Sequence, residues 1–450
     1  MADLLLHFAG LAQGILDHRK VLGAFFGYVL QFRSQQLLYG GHLDCERVFR
    51  SELLEFFLCP ANYYHRRADQ VSSFMMPVDS LRRHGKLALL EFDHITPTAV
   101  SHVEGIPIPG QDSKLADLVQ ASGVMGRDAC LALAKGQGMW WFDMFGGWFD
   151  HDSLRSVVRQ AQAAAKMLLN QHYRSIAQVA VVVDTESLLH VDQRGSLAES
   201  MLLQQLDGLG RMGAPYDIVF SGDLLDPTWS GSAYRLIYFP NLFAPTAELR
   251  QAVRRLRSFH GTLLWAYAPG FVADDALGIE AMTQLTGLHF AQVPAVRRVC
   301  VAEQEYGFST DQRPGFVVVP TPDLDVLGRT PEGHAGLVES RSGESRRAFS
   351  SVGALPAWLL RQMAQRAGVH IYCDDDQPLY ASSQVIGLHS ARAIIRRVWL
   401  CERRRLIPLL TTRAAGRGDT PTAQRDPTTG RWFIDVPLEA FEARLFAWDA

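Results

Sequence analysis

The sequence predicts an α/β protein with two segments of buried parallel sheet followed by a small antiparallel β segment. Three observations indicate this fold class. Continuous apolar runs alternate with helical stretches through the first third of the chain and again through the middle, which is typical of parallel sheets covered on both faces. Short alternating runs replace them near the end. Hydrophobic residues make up 48% of the 450 positions and charged residues 20%, which excludes a mainly disordered chain.

Charge and motif content exclude several classes of function. The chain has 44 basic and 47 acidic residues and a net charge of −3, so nothing indicates a nucleic-acid partner or a polybasic membrane surface. No apolar stretch reaches the roughly 18–20 residues of a membrane span. The six cysteines form no CxxC pair, and there is no P-loop, HExxH or GxSxG motif. We therefore expect reduced thiols, no metal site and a cytoplasmic location.

The first third is expected to contain one opening helix and four parallel strands. Residues 1–20 place apolar side chains at helical spacing, which predicts an amphipathic helix and not a signal peptide. The four strand-like runs are 20–30, 53–64, 85–93 and 136–147, with helices expected at 44–53, 113–136 and 151–175. Polar and aromatic residues follow the strand ends, which is where α/β enzymes build their sites.

The middle third repeats the alternation with short loops and predicts a doubly wound sheet of flavodoxin type. The strands are expected at 176–187, 215–225, 234–246 and 262–270. "GLGRMG" (208–213) matches a dinucleotide fingerprint in letters, but a helix precedes it and a strand follows, so it predicts a helix end and a turn. "GFVVVP" (315–320) predicts a strand, 328–351 a surface excursion, and 355–368 a closing helix.

The last segment changes to short alternating runs between turns, which predicts a small antiparallel β-domain. The runs are 384–391, 396–402, 404–412, 430–438 and 443–450.

Glu91 is the strongest candidate for chemistry. It ends the apolar strand "GKLALLEFD", where an unpaired buried carboxylate is costly unless it projects into a polar cleft. Carboxylates in such positions act as nucleophile or general acid/base in glycoside hydrolysis. The alternative is a structural carboxylate paired with an arginine. Asp93, two residues on, is equally compatible with binding a sugar hydroxyl and with capping the next loop.

Two further stretches carry candidate ligand-binding residues. The aromatic segment "MWWFDMFGGWFD" (139–150) includes Trp141 and a single charge among its aromatics, Asp143. Aromatic faces stack on sugar rings, but a packing cluster explains the same pattern. "PANYYHRR" (60–67) offers Tyr63 and Arg66 at a strand end, with an exposed polar loop as the alternative.

These motifs together resemble the C-terminal portion of family 42 β-galactosidases. The stretches that carry the resemblance are "GAFFGYVLQ", "GGHLDCERVF", "CPANYYHR", "HGKLALLEFDHIT" and "GQGMWWFDMFGGWF". It implies three parts: residues 1–172 as the second half of a (β/α)8 TIM barrel, 173–373 as a flavodoxin-like trimerisation domain, and 374–450 as a β-sandwich. Residues 21–28, 55–62, 86–92 and 138–143 would be barrel strands 5 to 8.

The resemblance implies retaining hydrolysis of β-galactoside-like bonds without an organic cofactor, with a carbohydrate as partner and a homotrimer as assembly. The family's nucleophile, the glutamate that ends strand 7, falls on Glu91. The residues implied to line the sugar pocket are Tyr28, His42, Tyr63, Arg66, Asp93, Trp141 and Asp143.

Two departures from the family pattern bear on activity. Many relatives carry an arginine in an E-x-D-x-R-T pattern where this chain has Ile95, so a positive charge beside the carboxylates is expected to be missing. The chain also begins in the helix before strand 5, which leaves out the acid/base glutamate of strand 4. A truncated gene, a fragmentary assembly or a misassigned start would explain this, and Asp93 and Asp143 are the candidate substitutes. The competing interpretation is an inactive carbohydrate-binding or assembly protein.

Overall fold

The structure, a computed structural model, describes most of the chain. The described residues are 1–31, 39–100, 114–144, 146–192, 194–229, 231–256, 259–273, 276–413 and 421–449. Within them, no helix combines the length and the apolar character that a bilayer crossing requires.

The first sheet has four parallel strands in the order β1-β2-β3-β4. The strands are β1 (Gly23–Phe25), β2 (Phe56–Pro60), β3 (Leu87–Phe92) and β4 (Gly138–Trp141). Its helices are α1 (Ala2–Leu16), α2 (Cys45–Phe49), α3 (Val78–Arg83), α4 (Leu118–Ala134) and α5 (Asp152–Leu168). The opening helix and the four strands predicted from the sequence are confirmed.

The two faces of the first sheet have different surroundings. In β3, Ala88, Leu90 and Phe92 are fully buried, while Leu87 on the other face is 45% exposed. Side chains alternate between the faces of a strand, so the exposed face also carries Glu91. Phe25 and Trp140, on the two edge strands, approach within 5.8 Å between ring centroids. This contact spans the width of the sheet, so the exposed face is concave.

The second sheet contains eleven strands and begins with four parallel ones. These are β5 (Val179–Val183), β6 (Tyr216–Phe220), β7 (Leu236–Phe239) and β8 (Thr262–Ala266). A two-stranded hairpin separate from the sheet follows, β9 (Val272–Ala273) with β10 (Ala276–Leu277). The remaining strands of the large sheet are β11 (Phe290–Val293), β12 (Val296–Val301), β13 (Gln304–Gln312), β14 (Gly315–Val318), β15 (Leu324–Arg329), β16 (Ala335–Ser342) and β17 (Ser345–Ser350). Its helices are α6 (Gln205–Arg211), α7 (Ala247–Arg255), α8 (Ile279–Thr286) and α9 (Ala357–Arg366).

The prediction of a surface excursion at 328–351 is wrong. This region forms β16 and β17, and β17 pairs in parallel with β8 at the centre of the sheet. Ala348 and Phe349 are fully buried there. The parallel strands β5, β6, β7, β8 and β17 consequently lie in the order 2-1-3-4-5. The "GLGRMG" stretch behaves as expected, since α6 ends at Arg211 and Gly213 turns the chain with φ 86°.

The C-terminal segment forms two antiparallel sheets. The strands are β18 (Leu379–Ala381), β19 (Val385–Ser390), β20 (Ile394–Leu400), β21 (Leu406–Thr411), β22 (Gln424–Arg425), β23 (Trp432–Leu438) and β24 (Glu442–Trp448). One sheet has the order β18-β19-β24-β21 and the other β20-β23-β22. Side chains from both sheets, such as Ile386, Val398 and Ile434, share one buried cluster. The five predicted strands are confirmed.

Helix α4 connects the first sheet to this C-terminal segment. It packs against β3 and β4 and also against β19 and β24. Two glycines permit the close approach: a Cβ at Gly123 would clash with the carbonyl oxygen of Phe441, and one at Gly126 would lie 2.9 Å from the Ala443 Cβ. Interiors are packed too densely to absorb such groups without movement. The helix is therefore buried on several sides at once.

Candidate active site

Glu91 lies on the concave face of the first sheet, near the carboxyl end of β3. The residue is 7% exposed. Pro60 of β2 and Trp140 of β4 are its neighbours in the sheet register. Within the described ranges, no hydrogen bond or ion pair reaches its carboxylate, so the alternative of an arginine-paired structural carboxylate finds no support there. A buried carboxyl group without such partners is a candidate for chemistry.

Asp93 is held by the loop that follows β2. The Arg66 guanidinium forms an ion pair with the Asp93 carboxylate and also donates to the Asp93 carbonyl oxygen at 3.2 Å. The Tyr63 hydroxyl donates to the same carboxylate at 3.3 Å, and the Arg66 Cζ atom lies 4.0 Å from the Tyr63 ring centroid. The expectation that Ile95 leaves the carboxylates without a positive charge is therefore wrong, because Arg66 supplies one from another loop.

The electrostatic surroundings of Glu91 favour its neutral form. Burial, and then the neighbouring Asp93 carboxylate, raise the pKa of Glu91 to about 7, while Arg66 opposes the shift. A group with this pKa is present in both protonation states near neutral pH, which suits acid–base or nucleophilic work.

Tyr28 and His42 form a stacked pair beside this cluster. Their ring centroids are 4.6 Å apart and their planes differ by 9°. The His42 Nδ1 accepts the Gly27 N–H at 2.9 Å, and burial lowers the His42 pKa to about 4, so the imidazole is neutral with its proton on Nε2. Burial also raises the pKa of Tyr28, as do the nearby Cys59 and Glu91. The pair thus presents neutral polar groups.

The structure separates the two adjacent tryptophans. Trp140 shares the concave face with Glu91 and is 37% exposed. Trp141 lies on the opposite face, with its ring 5.5 Å from that of the fully buried Phe92. Placement therefore favours Trp140 over Trp141 as the tryptophan beside Glu91. Asp143 is exposed and accepts the Trp148 N–H at 3.4 Å; no described contact joins it to Glu91.

Arg127, a buried arginine that the sequence did not indicate as a site residue, holds the loop that carries Arg66. Arg127 of α4 donates to the carbonyl oxygens of Arg67 at 2.8 Å and of Gln70 at 2.9 Å, in the loop that carries Arg66. Its Nε also donates to the Asp128 carboxylate at 3.0 Å. The only sequence signal was an arginine in the middle of an apolar helix, which indicates a buried partner without identifying it.

The described residues contain no group of three or more His, Cys, Asp or Glu side chains arranged to hold a metal ion. Tyr63, Arg66 and Asp93 contact one another directly, and Glu91 lies within electrostatic reach of Arg66 and Asp93. The candidate active site is therefore a partly enclosed carboxyl group with a second, arginine-paired carboxylate beside it.

Comparison with known proteins identifies likeness in fold only. No family model and no curated protein sequence matches the chain. Among solved structures, it is similar to the family 42 β-galactosidase Gan42B from G. stearothermophilus, with a TM-score of 0.52 and 12% identity over 87% of this chain and 63% of that one. It is also similar to a β-galactosidase from the psychrophilic Marinomonas ef1, with a TM-score of 0.59 and 14% identity over 99% of this chain and 67% of that one.

An α-L-fucosidase from Paenibacillus thiaminolyticus gives a TM-score of 0.53 at 16% identity, over 80% of this chain and 60% of that one. The chain thus spans less than two thirds of the length of the first of these structures. The resemblance to family 42 β-galactosidases predicted from the sequence is confirmed at the level of fold.

Proposed function

We propose that the chain is the C-terminal part of a retaining glycoside hydrolase in which Glu91 is the nucleophile. The observation that carries the proposal is the position of Glu91, a partly enclosed carboxyl group without a described ion pair on the concave face of a parallel sheet. In this reaction the carboxylate attacks the anomeric carbon and forms a glycosyl ester that water then hydrolyses. Arg66 and Tyr63 would hold Asp93 for contact with sugar hydroxyls.

The parts of the chain fit this proposal. Residues 1–172 would be half of a (β/α)8 barrel closed by strands from outside this chain, since β1 and β4 end the sheet and apolar side chains such as Phe25 and Trp140 are exposed on its concave face. Residues 173–373 would be the flavodoxin-like domain, supported by the 2-1-3-4-5 strand order. Residues 374–450 would be the β-sandwich. The trimeric assembly and the cytoplasmic location remain predictions from sequence.

The general acid/base would come from the same absent strands. Asp93 does not suit this role because it is paired with Arg66, and Asp143 has no described contact with Glu91. Without the acid, substrates with poor leaving groups would react more slowly by roughly 10²–10⁴-fold. Sugar binding without turnover is therefore the competing outcome for the isolated chain.

A substrate that does not need an acid tests the nucleophile directly. When the chain is incubated with dinitrophenyl β-galactoside, the Glu91 carboxylate should attack the anomeric carbon. The C1–O bond then breaks, and dinitrophenolate leaves with the electron pair and no proton. Because no second carboxyl group that is free to act as the general base lies beside Glu91 among the described residues, the glycosyl ester should persist. We expect one equivalent of released dinitrophenolate and an intact mass increased by one hexosyl unit, mapped to Glu91.

The matched control is Glu91→Gln, which keeps the shape of the side chain and removes the nucleophile. It should show neither the release nor the mass gain. Labelling that persists in Glu91→Gln, or no labelling of the wild-type chain by any β-glycoside of this kind, would contradict the proposal. Retained sugar binding in the absence of labelling would instead support the carbohydrate-binding alternative.

The labelling rate should also depend on pH. The Glu91 pKa is about 7, and only the carboxylate attacks, so the rate should rise about tenfold between one pH unit below and one above that value. Asp93→Asn removes a negative charge that raises the Glu91 pKa, and it frees Arg66, which lowers the Glu91 pKa. The midpoint of the labelling rate should therefore move to lower pH. An unchanged midpoint in Asp93→Asn would show that these charges do not govern Glu91.

A further inference from the structure

A groove at the end of the C-terminal β-sandwich is distinct from the candidate active site. It has a volume of about 560 Å³ and continues into a smaller hollow of about 150 Å³. The two share Ser383, Glu402, Arg404 and Trp448 as lining residues. Ligand pockets commonly measure roughly 300–1,000 Å³, so the groove is large enough for a small oligosaccharide and much larger than a single inorganic anion requires.

An aromatic ring is fixed at the boundary between the groove and the hollow. The Trp448 indole N–H donates to the Ser382 carbonyl oxygen at 2.8 Å, and the Tyr372 ring centroid lies 6.3 Å from the Trp448 ring. The Arg404 Cζ atom lies 5.6 Å from the same ring. Trp448 remains partly exposed. A fixed, partly exposed indole offers a flat apolar surface at a low ordering cost on binding.

The groove carries more positive than negative charge. Arg404 is paired with Glu402 at 2.5 Å, and Arg405 lies 3.6 Å from the Asp449 carboxylate. Arg174 and Arg403 are both exposed, and among the described residues no carboxylate lies within ion-pair distance of either guanidinium. Arginine guanidinium groups match carboxylates in a bidentate geometry.

The other polar residues that line the groove suit a ligand that carries hydroxyl groups in addition to negative charge. Gln171, Ser383, Gln384 and Thr422 contribute amide and hydroxyl groups that can donate and accept hydrogen bonds. The ligand that matches these features is a sugar chain that carries carboxylates. Its rings would pack on the flat apolar surface, its hydroxyl groups would bond to the neutral donors and acceptors, and its carboxylates would pair with the two guanidiniums that have no carboxylate partner.

We infer that this groove and the hollow beside it together bind an acidic oligosaccharide of uronate units. The fixed Trp448 ring lines both, the Arg403 guanidinium lines the groove and the Arg174 guanidinium lines the hollow. The site does not depend on Glu91 or on the proposed hydrolase activity. It would hold an anionic polysaccharide at the C-terminal sandwich, while the first sheet faces another part of the same polysaccharide.

The test is to titrate the full chain with trigalacturonate and with neutral galactotriose and to measure both affinities by isothermal titration calorimetry. We expect trigalacturonate to bind at least tenfold more tightly than galactotriose, with affinity falling as salt is added. The double variant Arg174→Gln/Arg403→Gln should lose at least tenfold in trigalacturonate affinity. Both side chains are exposed, so its thermal midpoint should match the wild type.

Two control variants show whether binding is specific to the groove. Arg341→Gln changes an exposed arginine outside the groove, and Glu91→Gln changes the candidate active site; neither should alter trigalacturonate affinity. Equal affinity for the neutral and acidic trisaccharides, no binding of trigalacturonate, or unchanged binding in the double variant would overturn the inference. So would inorganic sulfate binding to the groove as tightly as trigalacturonate, since that would reduce it to a simple anion site.

Discussion

Replacing Lys135 with methionine should lower the free energy of unfolding by about 3–5 kcal/mol, because the change removes the ammonium group that two buried carboxylates share. Asp79 would keep only the more distant Arg82 guanidinium, at 3.7 Å. The Lys135 ammonium lies 2.8 Å from the Asp79 carboxylate and 3.1 Å from that of Asp217. The two carboxylates are 6% and 8% exposed, respectively, and belong to α3 and β6. The ammonium group therefore joins the first parallel sheet's helices to the second sheet.

The pH dependence distinguishes this explanation from simple loss of packing. Burial, and then Asp217, already raise the pKa of Asp79 to about 6, and removal of the lysine should raise it further. A carboxyl group whose pKa is higher in the folded than in the unfolded state contributes stability at low pH that is lost as pH rises. The destabilisation should consequently be larger at pH 8 than at pH 5 in urea unfolding.

The matched control is Lys166→Met on the exposed face of α5, which should change stability by no more than about 0.5 kcal/mol. A loss below about 1 kcal/mol for Lys135→Met at pH 8, or a loss that grows towards low pH, would refute the role of the ammonium group in compensating the two buried carboxylates.

Arg127→Met should also destabilise the chain by about 3–5 kcal/mol, and it should disturb the candidate active site as well. Arg127 is fully buried, and the change removes donors from the backbone of the loop that carries Arg66. It also removes the cation beside Asp128. Although burial opposes ionisation, Arg127 and then His94 hold the pKa of Asp128 well below its usual range.

The effect on the site should be visible separately from stability. If the loop no longer fixes Arg66, the Glu91 pKa should rise, and the midpoint of covalent labelling should move to higher pH. Arg127→Lys keeps the charge but not the forked geometry and should fall between wild type and Arg127→Met. Arg159→Met, at an exposed position of α5, serves as the control for both measurements. An unaltered labelling midpoint in folded Arg127→Lys and Arg127→Met would contradict the link to the site.

Most elements could be predicted because the local pattern determines them. Strands such as β3 and β5 are continuous apolar runs, and α5 has a regular apolar stripe. Strand β17 could not be predicted in this way. Its sequence "SRRAFS" is largely polar, and it becomes a strand because β8, far away in sequence, provides its partner. The local sequence of neither segment predicts that the two distant segments will pair.

In the candidate site, too, some features could be predicted from the local sequence and others could not. Glu91 could be selected because a glutamate at the end of an apolar strand is unusual. The choice between Trp140 and Trp141 could not be made, since it depends on the register between β3 and β4, and a shift of one residue exchanges the faces. The pairing of Asp93 with Arg66 was missed because it joins two loops that only the folded sheet brings together.

The tight packing of α4 has a consequence for synthesis of the chain. The Cys130 thiol of α4 contacts the Arg444 carbonyl oxygen of β24, and 314 residues separate the two in sequence. At translation rates of about 5–20 residues per second, β24 is made roughly 15–60 s after the helix. During that interval the face of α4 that holds Gly123 and Gly126 has no partner from β24. In the nascent chain, this apolar helix face therefore stays uncovered by β24 until that strand has left the ribosome.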